Sequence, residues 1–239
     1  ALDKCKAGKV NLKDKVKISK QAEKMGGSQI WLAEGEKISL RDLLKATLIP
    51  SANDATAAVA EYIGGTRKNF ISMMNYKAEK LNLKQTHFVN STGLPRKQHY
   101  SSAHDIAVTA CELITKHPIA LKWSKIQVDR IDNEEKLIFT TNKLLGNYPL
   151  ADGLQTGWTK KAGYCLVGTA KKEERRLISV IMGAKSKQAR RTKTIKLLNH
   201  GFKIFHKTKL IKANTKIKKI TVKEAQNPKV AVKTTSDLS

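Results

Sequence analysis

Hydrophobic positions in the first half of the chain recur every three or four residues, which is the spacing of amphipathic helices. Ser39 and Asp42 form a capping box at the start of one such segment, and Pro50 stops that segment. Ser102 and Asp105 form a second capping box further along the chain. The pattern predicts helices over residues 40–49, 51–63, 66–81 and 102–116.

The hydrophobic pattern changes to that of strands after residue 123. Two short segments joined by a polar turn predict a hairpin, and two nearly continuous apolar runs predict longer strands. We expect these longer strands to be buried on both faces. A short strand is also expected before the turn at Gly93, and a helix near the end of this half. The predicted strands cover 87–90, 126–131, 136–141, 164–170 and 177–182, and the late helix covers 187–206.

The order of these elements predicts an α/β (α+β) fold, in which an antiparallel sheet is flanked by helices and no βαβ unit repeats. From residue 208 onward, lysines alternate with β-branched residues such as Ile217 and Ile220, which is typical of strands in a separate unit. We therefore predict one domain over 1–207 and the start of a small β-rich domain over 208–239.

The chain is strongly basic, with 46 Lys and Arg against 20 Asp and Glu, a net charge of +26. Such a charge attracts polyanions, including nucleic acid, anionic lipid and anionic cell-wall polymer. Sequence-specific nucleic-acid binding is disfavoured, because the charge is mostly lysine spread along the chain and aromatic residues make up only 5%. A basic polyanion-binding protein remains open as an alternative function.

Residues 50–55, with the sequence Pro-Ser-Ala-Asn-Asp-Ala, lie where one predicted helix ends and the next begins, and they carry the first candidate chemistry. Two interpretations are open. Ser51 is either a helix N-cap whose capping box is completed by Asp54, or it joins Asn53 in presenting a hydroxyl and an amide to a cleft. A hydroxyl in such a place can relay a proton, and an amide can orient a peptide substrate.

Gln155, Thr156 and Gly157 precede a predicted strand and form the second candidate segment. The simpler interpretation is a polar strand start in which the glycine permits a twist or bulge. The functional interpretation is an edge strand whose backbone pairs with an extended substrate, which the glycine allows to approach closely.

The two segments resemble Ser-x-Asn and Lys-Thr-Gly, the second and third signature motifs of penicillin-recognising acyl-serine enzymes. The chain is more specifically similar to the D-alanyl-D-alanine carboxypeptidases, which are low-molecular-mass penicillin-binding proteins. This resemblance is collinear and covers nearly all of residues 1–207. The matching stretches are 43–65, 86–94, 100–105, 152–168 and 176–184.

The resemblance implies a β-lactamase/transpeptidase-like fold with a helical subdomain that carries the Ser-x-Asn segment. It also implies hydrolysis of the terminal D-Ala-D-Ala bond of peptidoglycan stem peptides through an acyl-enzyme, without a metal or organic cofactor. β-Lactams are the implied inhibitors, and the implied location is the cell envelope, on the periplasmic or extracytoplasmic face of the cytoplasmic membrane. A C-terminal anchor outside this chain would contact the membrane surface, and no specific nucleic acid is implied.

The resemblance also assigns roles to individual residues. Ser51 would share a proton relay, and Asn53 would hold the substrate amide. Gln155, Thr156 and Gly157 would line the substrate. Arg190 falls where the family places an arginine near the substrate's terminal carboxylate, a role that suits its bidentate fork. The alternative for Arg190 is a solvated helix charge.

The chain departs from the family pattern in two ways, and each affects the expected activity. No serine in the chain has lysine three residues on, so the nucleophile of Ser-x-x-Lys is expected upstream of Ala1 or lost, and this chain alone is expected to be inactive. Gln155 replaces the motif lysine, which removes a positive charge unless Lys160, Lys161 or Arg190 supplies one. This substitution leaves open a catalytically impaired homologue that binds peptidoglycan.

Overall fold

The computed structural model describes residues 1–206, 216–221 and 229–233, in which short helices and strands precede a block of longer helices and then a sheet. The helices are α1 (Leu2–Lys6), α2 (Lys20–Glu23), α3 (Leu40–Leu48), α4 (Asn53–Gly64), α5 (Arg67–Lys80), α6 (Ala103–Lys116), α7 (Pro118–Ser124) and α8 (Lys187–Ile204). The strands are β1 (Lys15–Lys17), β2 (Lys37–Ser39), β3 (Val128–Ile131), β4 (Lys136–Phe139), β5 (Ala151–Thr159), β6 (Gly163–Lys172), β7 (Arg175–Ala184), β8 (Lys216–Thr221) and β9 (Lys229–Lys233).

The helical block is organised around α3 and α4, which share a core with the small sheets β1–β2 and β3–β4. The Ser39 hydroxyl accepts a hydrogen bond from the Asp42 backbone at 3.1 Å, so the predicted cap of α3 is confirmed. The Ser102 cap of α6 is confirmed in the same way. Leu40, Leu43 and Ile63 are buried in this core, which fixes α3 and α4 against each other.

The antiparallel sheet has the order β5-β6-β7 and carries helices on both faces. Glycines allow this close packing. A Cβ on Gly153 would lie 2.6 Å from the Ser124 hydroxyl of α7, and one on Gly168 would lie 2.6 Å from the Thr194 methyl group of α8. The sheet is thus a central layer, and the predicted mixed fold with an antiparallel sheet flanked by helices is confirmed.

Two details of the predicted strands are wrong. Residues 87–90 form no strand and contribute only an isolated bridge between His87 and Tyr100. The expected burial of both longer strands on both faces also fails for β7, where Met182 is 44% exposed. Ile178 packs against the cluster formed by Ala110, Ile114 and Leu154, whereas Met182 lies near the end of β7 and is not part of that cluster.

The chain divides into two compact units, residues 1–199 and 200–239. The described part of the second unit contains the end of α8 and the antiparallel hairpin β8–β9. The predicted boundary between residues 207 and 208 lies outside the described residues and stays a prediction. In the described ranges, no helix combines the length and the apolar composition that a bilayer crossing requires.

Candidate active site

Ser51 lies in the loop between α3 and α4 with a φ of 64°, in the left-handed region. The N-cap of α4 is Ala52, which makes no side-chain capping bond, so the interpretation of Ser51 as the N-cap is wrong. A left-handed conformation costs a residue other than glycine about 1–2 kcal/mol. The loop is held by two backbone bonds, from Ala52 N–H to the Ala46 carbonyl at 3.0 Å and from Asn53 N–H to the Ser28 carbonyl at 2.7 Å.

Asp54 does not complete a capping box with Ser51 but anchors a distant segment of the chain. Its carboxylate is 1% exposed and accepts hydrogen bonds from the backbone N–H groups of Ile30 and Leu32, at 3.1 and 3.2 Å. Burying a carboxylate without hydrogen-bond donors destabilises the folded state, whereas backbone N–H donors offset this cost. Asp54 therefore fixes the segment around residue 30 against the start of α4.

Asn53 is held by the same segment. Its Nδ2 donates to the Gly26 carbonyl at 2.7 Å, and the side chain is 8% exposed. Gly27 has a φ of +86°, and a Cβ there would lie 2.5 Å from Asn53 Nδ2, so only glycine fits beside the amide. No group in the described part of the chain donates a hydrogen bond to Asn53 Oδ1, which leaves that oxygen able to accept one.

Gln155 bridges strand β5 to helix α3. Its Nε2 donates to the Thr47 carbonyl at 3.0 Å, and its Oε1 accepts from the Thr156 backbone N–H at 2.9 Å. Thr47 lies near the C-terminal end of α3, four residues before Ser51. The amide of Gln155 therefore ties the second candidate segment to the helix that leads into the first.

A second link joins the same two segments through Thr141, a residue that belongs to neither motif. The Thr141 and Thr156 hydroxyl oxygens are 2.8 Å apart, and the Thr141 N–H donates to the Ile49 carbonyl at 3.2 Å. Thr156 itself is 8% exposed. No local pattern marks Thr141, because its role depends on the approach of the loop after β4 to β5.

Arg190 projects from α8 toward the end of β5 and is 6% exposed, so its interpretation as a solvated helix charge is wrong. Its guanidinium donates to the carbonyls of Gly157 at 3.4 Å and Cys165 at 3.0 Å, and lies 5.9 Å from the Tyr164 ring centroid. Burial lowers the pKa of Arg190 below its ordinary value, but a guanidinium stays charged at neutral pH. The structure thus places a permanent positive charge against the third-motif strand.

Two other cations could replace the missing lysine charge, but both lie beyond the end of β5. Lys160 and Lys161 are exposed in the turn that follows β5. Of these three cations, Arg190 is the one that contacts the backbone of the Gln155–Gly157 segment in the described structure. Over residues 1–206, 216–221 and 229–233, no group of three or more His, Cys, Asp or Glu side chains is arranged to hold a metal ion.

Comparison with known proteins places this geometry in a family. The chain is 39% identical over 242 residues to the D-alanyl-D-alanine carboxypeptidase DacF of Bacillus subtilis, across 100% of this chain and 61% of that protein. It is similar in structure to penicillin binding protein 5 of Haemophilus influenzae, with a TM-score of 0.84, 32% identity, and coverage of 98% of this chain and 69% of that one. A penicillin-binding protein of Listeria monocytogenes in an ampicillin-bound form matches with a TM-score of 0.77, 31% identity, and coverage of 84% and 82%.

The family resemblance proposed from the sequence is confirmed by these matches. The chain spans 61%, 54% and 50% of three curated relatives, about half to three fifths of their length. The model of the D-alanyl-D-alanine carboxypeptidase family matches residues 1–186, which include both candidate segments. With the collinear motifs and the shared fold, this establishes that the chain belongs to the D-alanyl-D-alanine carboxypeptidase family.

Proposed function

We propose that the protein is a serine-type D-Ala-D-Ala carboxypeptidase that removes the terminal D-Ala from peptidoglycan stem peptides in the bacterial cell envelope and is acylated by penicillin. The observation that carries this proposal is the meeting of the two motif segments. Gln155 and Thr141 link the strand of Gln155–Gly157 to the helix and loop that present Ser51 and Asn53.

The proposed reaction has two steps. The oxygen of a nucleophilic serine attacks the carbonyl carbon of the penultimate D-Ala, the C–N bond breaks, and the terminal D-Ala leaves with a proton. Water then hydrolyses the resulting ester and frees the serine. Ser51, held at a strained φ of 64°, relays protons between the nucleophile and the leaving amine.

The remaining site residues bind the substrate in this proposal. Asn53 accepts a substrate N–H through Oδ1, the amide oxygen to which no group in the described part of the chain donates. An extended substrate pairs with the backbone of β5 beside Gly157, where a Cβ position has no neighbour within 4 Å. Thr156 donates its hydroxyl proton to the terminal carboxylate, and Arg190 supplies the positive charge that attracts this carboxylate.

Penicillin labelling tests the proposal. The full-length gene product is incubated with fluorescent penicillin and with a D-Ala-D-Ala tripeptide, and adducts and released D-Ala are measured. A covalent adduct and D-Ala release support the proposed carboxypeptidase. The 239 residues contain no Ser-x-x-Lys, so a polypeptide limited to Ala1–Ser239 should form no adduct, and an adduct on Ser51 by intact mass would contradict its role as a relay.

A second candidate is a homologue that binds peptidoglycan peptides without turning them over, favoured by Gln155 in place of the motif lysine. This alternative predicts saturable binding of the tripeptide with no penicillin adduct and no D-Ala release.

The remaining alternative is a polyanion-binding protein. In that case the protein should be retained on DNA, its retention should weaken with added salt, and it should not react with penicillin.

A further inference from the structure

The contact between Thr141 and Thr156 limits whether the Thr156 hydroxyl can donate a hydrogen bond to a ligand. The two hydroxyl oxygens are 2.8 Å apart, so one of them donates its proton to the other. Thr156 is 8% exposed and lies in the third-motif segment, whereas Thr141 lies in the loop that follows β4. The direction of this one hydrogen bond decides what Thr156 can offer to a ligand.

The hydrogen bond between the Thr141 and Thr156 hydroxyl groups can run in either direction. A threonine hydroxyl has one proton and two lone pairs, and an ionised carboxylate only accepts hydrogen bonds. If Thr156 donates to Thr141, it presents only lone pairs to a ligand and repels a carboxylate. If Thr141 donates to Thr156, the Thr156 proton is free, and accepting a bond strengthens its own donation.

The surroundings of Thr141 favour the second arrangement once a ligand is bound. Its Oγ1 has no hydrogen-bond partner other than Thr156 within the ranges that the structure describes, so its proton has no competing acceptor there. Its backbone N–H is tied to the Ile49 carbonyl at 3.2 Å, which holds the hydroxyl in place beside β5. Arg190, in contact with Gly157, draws an anionic ligand to the same strand.

We infer that Thr141 is a positioning residue that donates its hydroxyl proton to Thr156 and thereby directs the Thr156 proton toward the carboxylate of the substrate or β-lactam. The inference rests on the proposed function, since it assumes a carboxylate ligand at Thr156. It assigns to Thr141 a selective effect on carboxylate recognition, which a purely structural role for the residue would not produce.

The test compares two ligands that differ only in this carboxylate. The full-length gene product and its variants are reacted with benzylpenicillin and with benzylpenicillin methyl ester, and second-order acylation constants are measured. Thr141→Val keeps the side-chain shape and removes the donor, so it should lower the constant for benzylpenicillin roughly three- to tenfold, the range of one net hydrogen bond. The loss for the methyl ester should be less than about twofold.

Two further variants separate positioning from folding. Thr141→Ser retains the hydroxyl and should recover the benzylpenicillin constant to within about twofold of the wild type. Thr140→Val removes the hydroxyl that accepts a bond from the Asn142 N–H at 3.1 Å in the same loop. That variant should lower the thermal midpoint without changing the ratio of the two acylation constants.

The measurements separate a failure of the inference about Thr141 from a failure of the proposed function. Equal losses for both ligands in Thr141→Val, or no loss for either, would overturn the inference while leaving the proposed function intact. Failure of Thr141→Ser to recover the benzylpenicillin constant would overturn it as well. A wild-type protein that neither ligand acylates would overturn the proposed function and the inference together.

Discussion

Gln155 and Thr47 are 108 residues apart in the chain, yet the Gln155 side-chain amide donates to the Thr47 carbonyl at 3.0 Å. The same side chain accepts a bond from the Thr156 N–H. The amide nitrogen of Gln155, a residue that departs from the family motif, therefore links strand β5 to helix α3, while its amide oxygen binds within β5. Replacing Gln155 therefore changes both the hydrogen bonding of β5 and the charge at this position.

Gln155→Lys should raise the rate constant of acylation of the full-length gene product. A lysine keeps a donor for the Thr47 carbonyl and adds a positive charge facing the site. A charge-assisted contact of this kind contributes about 1.5–3 kcal/mol, which corresponds to roughly a ten- to hundredfold faster reaction. The gain should be largest for ligands that carry a carboxylate and should shrink in high salt if the charge is partly exposed.

Gln155→Met is the matched control for this prediction, because it has a similar length and neither hydrogen bond. Its acylation constant should fall below that of the wild type. If Gln155→Lys shows no gain, the required charge is already supplied from elsewhere, and Arg190 is the cation in contact with the strand.

Gly27→Ala should impair both the stability and the reaction of the protein. The new Cβ would lie 2.5 Å from Asn53 Nδ2, so the Asn53 side chain must move. Gly35→Ala is the control, because its φ of +87° matches the +86° of Gly27 and no atom lies within 4 Å of its Cβ position. Each variant should lose about 1–2 kcal/mol of unfolding free energy from backbone strain.

The two glycine variants should differ in acylation. Displacement of a positioning group by about 1 Å costs up to roughly a hundredfold in rate, so Gly27→Ala should be slower than wild type by roughly ten- to hundredfold. Gly35→Ala should react at the wild-type rate. Equal acylation constants for the two variants would mean that Asn53 takes no part in the reaction.

Asp54→Ala should destabilise the protein by about 2–4 kcal/mol, since it leaves the Ile30 and Leu32 N–H groups without an acceptor. Asp54→Asn retains one side-chain oxygen and should lose less. Urea unfolding of both variants measures the difference. A loss below about 0.5 kcal/mol in Asp54→Ala would show that water or a rearranged backbone replaces the carboxylate.

Glu112 gives the protein a contribution to stability that depends on pH. Hydrogen bonds from Lys77 and Lys116, at 2.9 Å each, lower the pKa of Glu112 below its ordinary value of 4.5. A carboxyl whose pKa is lower in the folded state stabilises the protein above its unfolded pKa, and this contribution is lost as the pH falls through the folded pKa.

The wild type should therefore lose more stability than Glu112→Gln as the pH is lowered from above 4.5 into the acid range. The urea midpoints of the two proteins, measured across this range, test the expectation. Parallel curves would show that the two lysines do not stabilise the ionised form of Glu112 in solution.

Features that depend on neighbouring residues can be predicted from the amino-acid sequence. The caps at Ser39 and Ser102 join groups three residues apart, and the helices and strands follow from hydrophobic periodicity within short segments. The family could be recognised because Ser51–Asn53 and Gln155–Gly157 keep their order and separation. Both candidate segments are therefore visible in the amino-acid sequence alone, although their residue roles stay predictions.

The contacts that hold these residues in place form between distant parts of the folded chain. Ser51 takes a left-handed conformation and Asp54 binds the backbone of residues 30 and 32, although their spacing favours a local capping box. Thr141 meets Thr156, and Arg190 is buried against Gly157, because separate elements converge on β5. Such contacts join groups 15 to 108 residues apart, and a pattern of neighbouring residues contains no information about which distant donor or acceptor will satisfy a buried polar group.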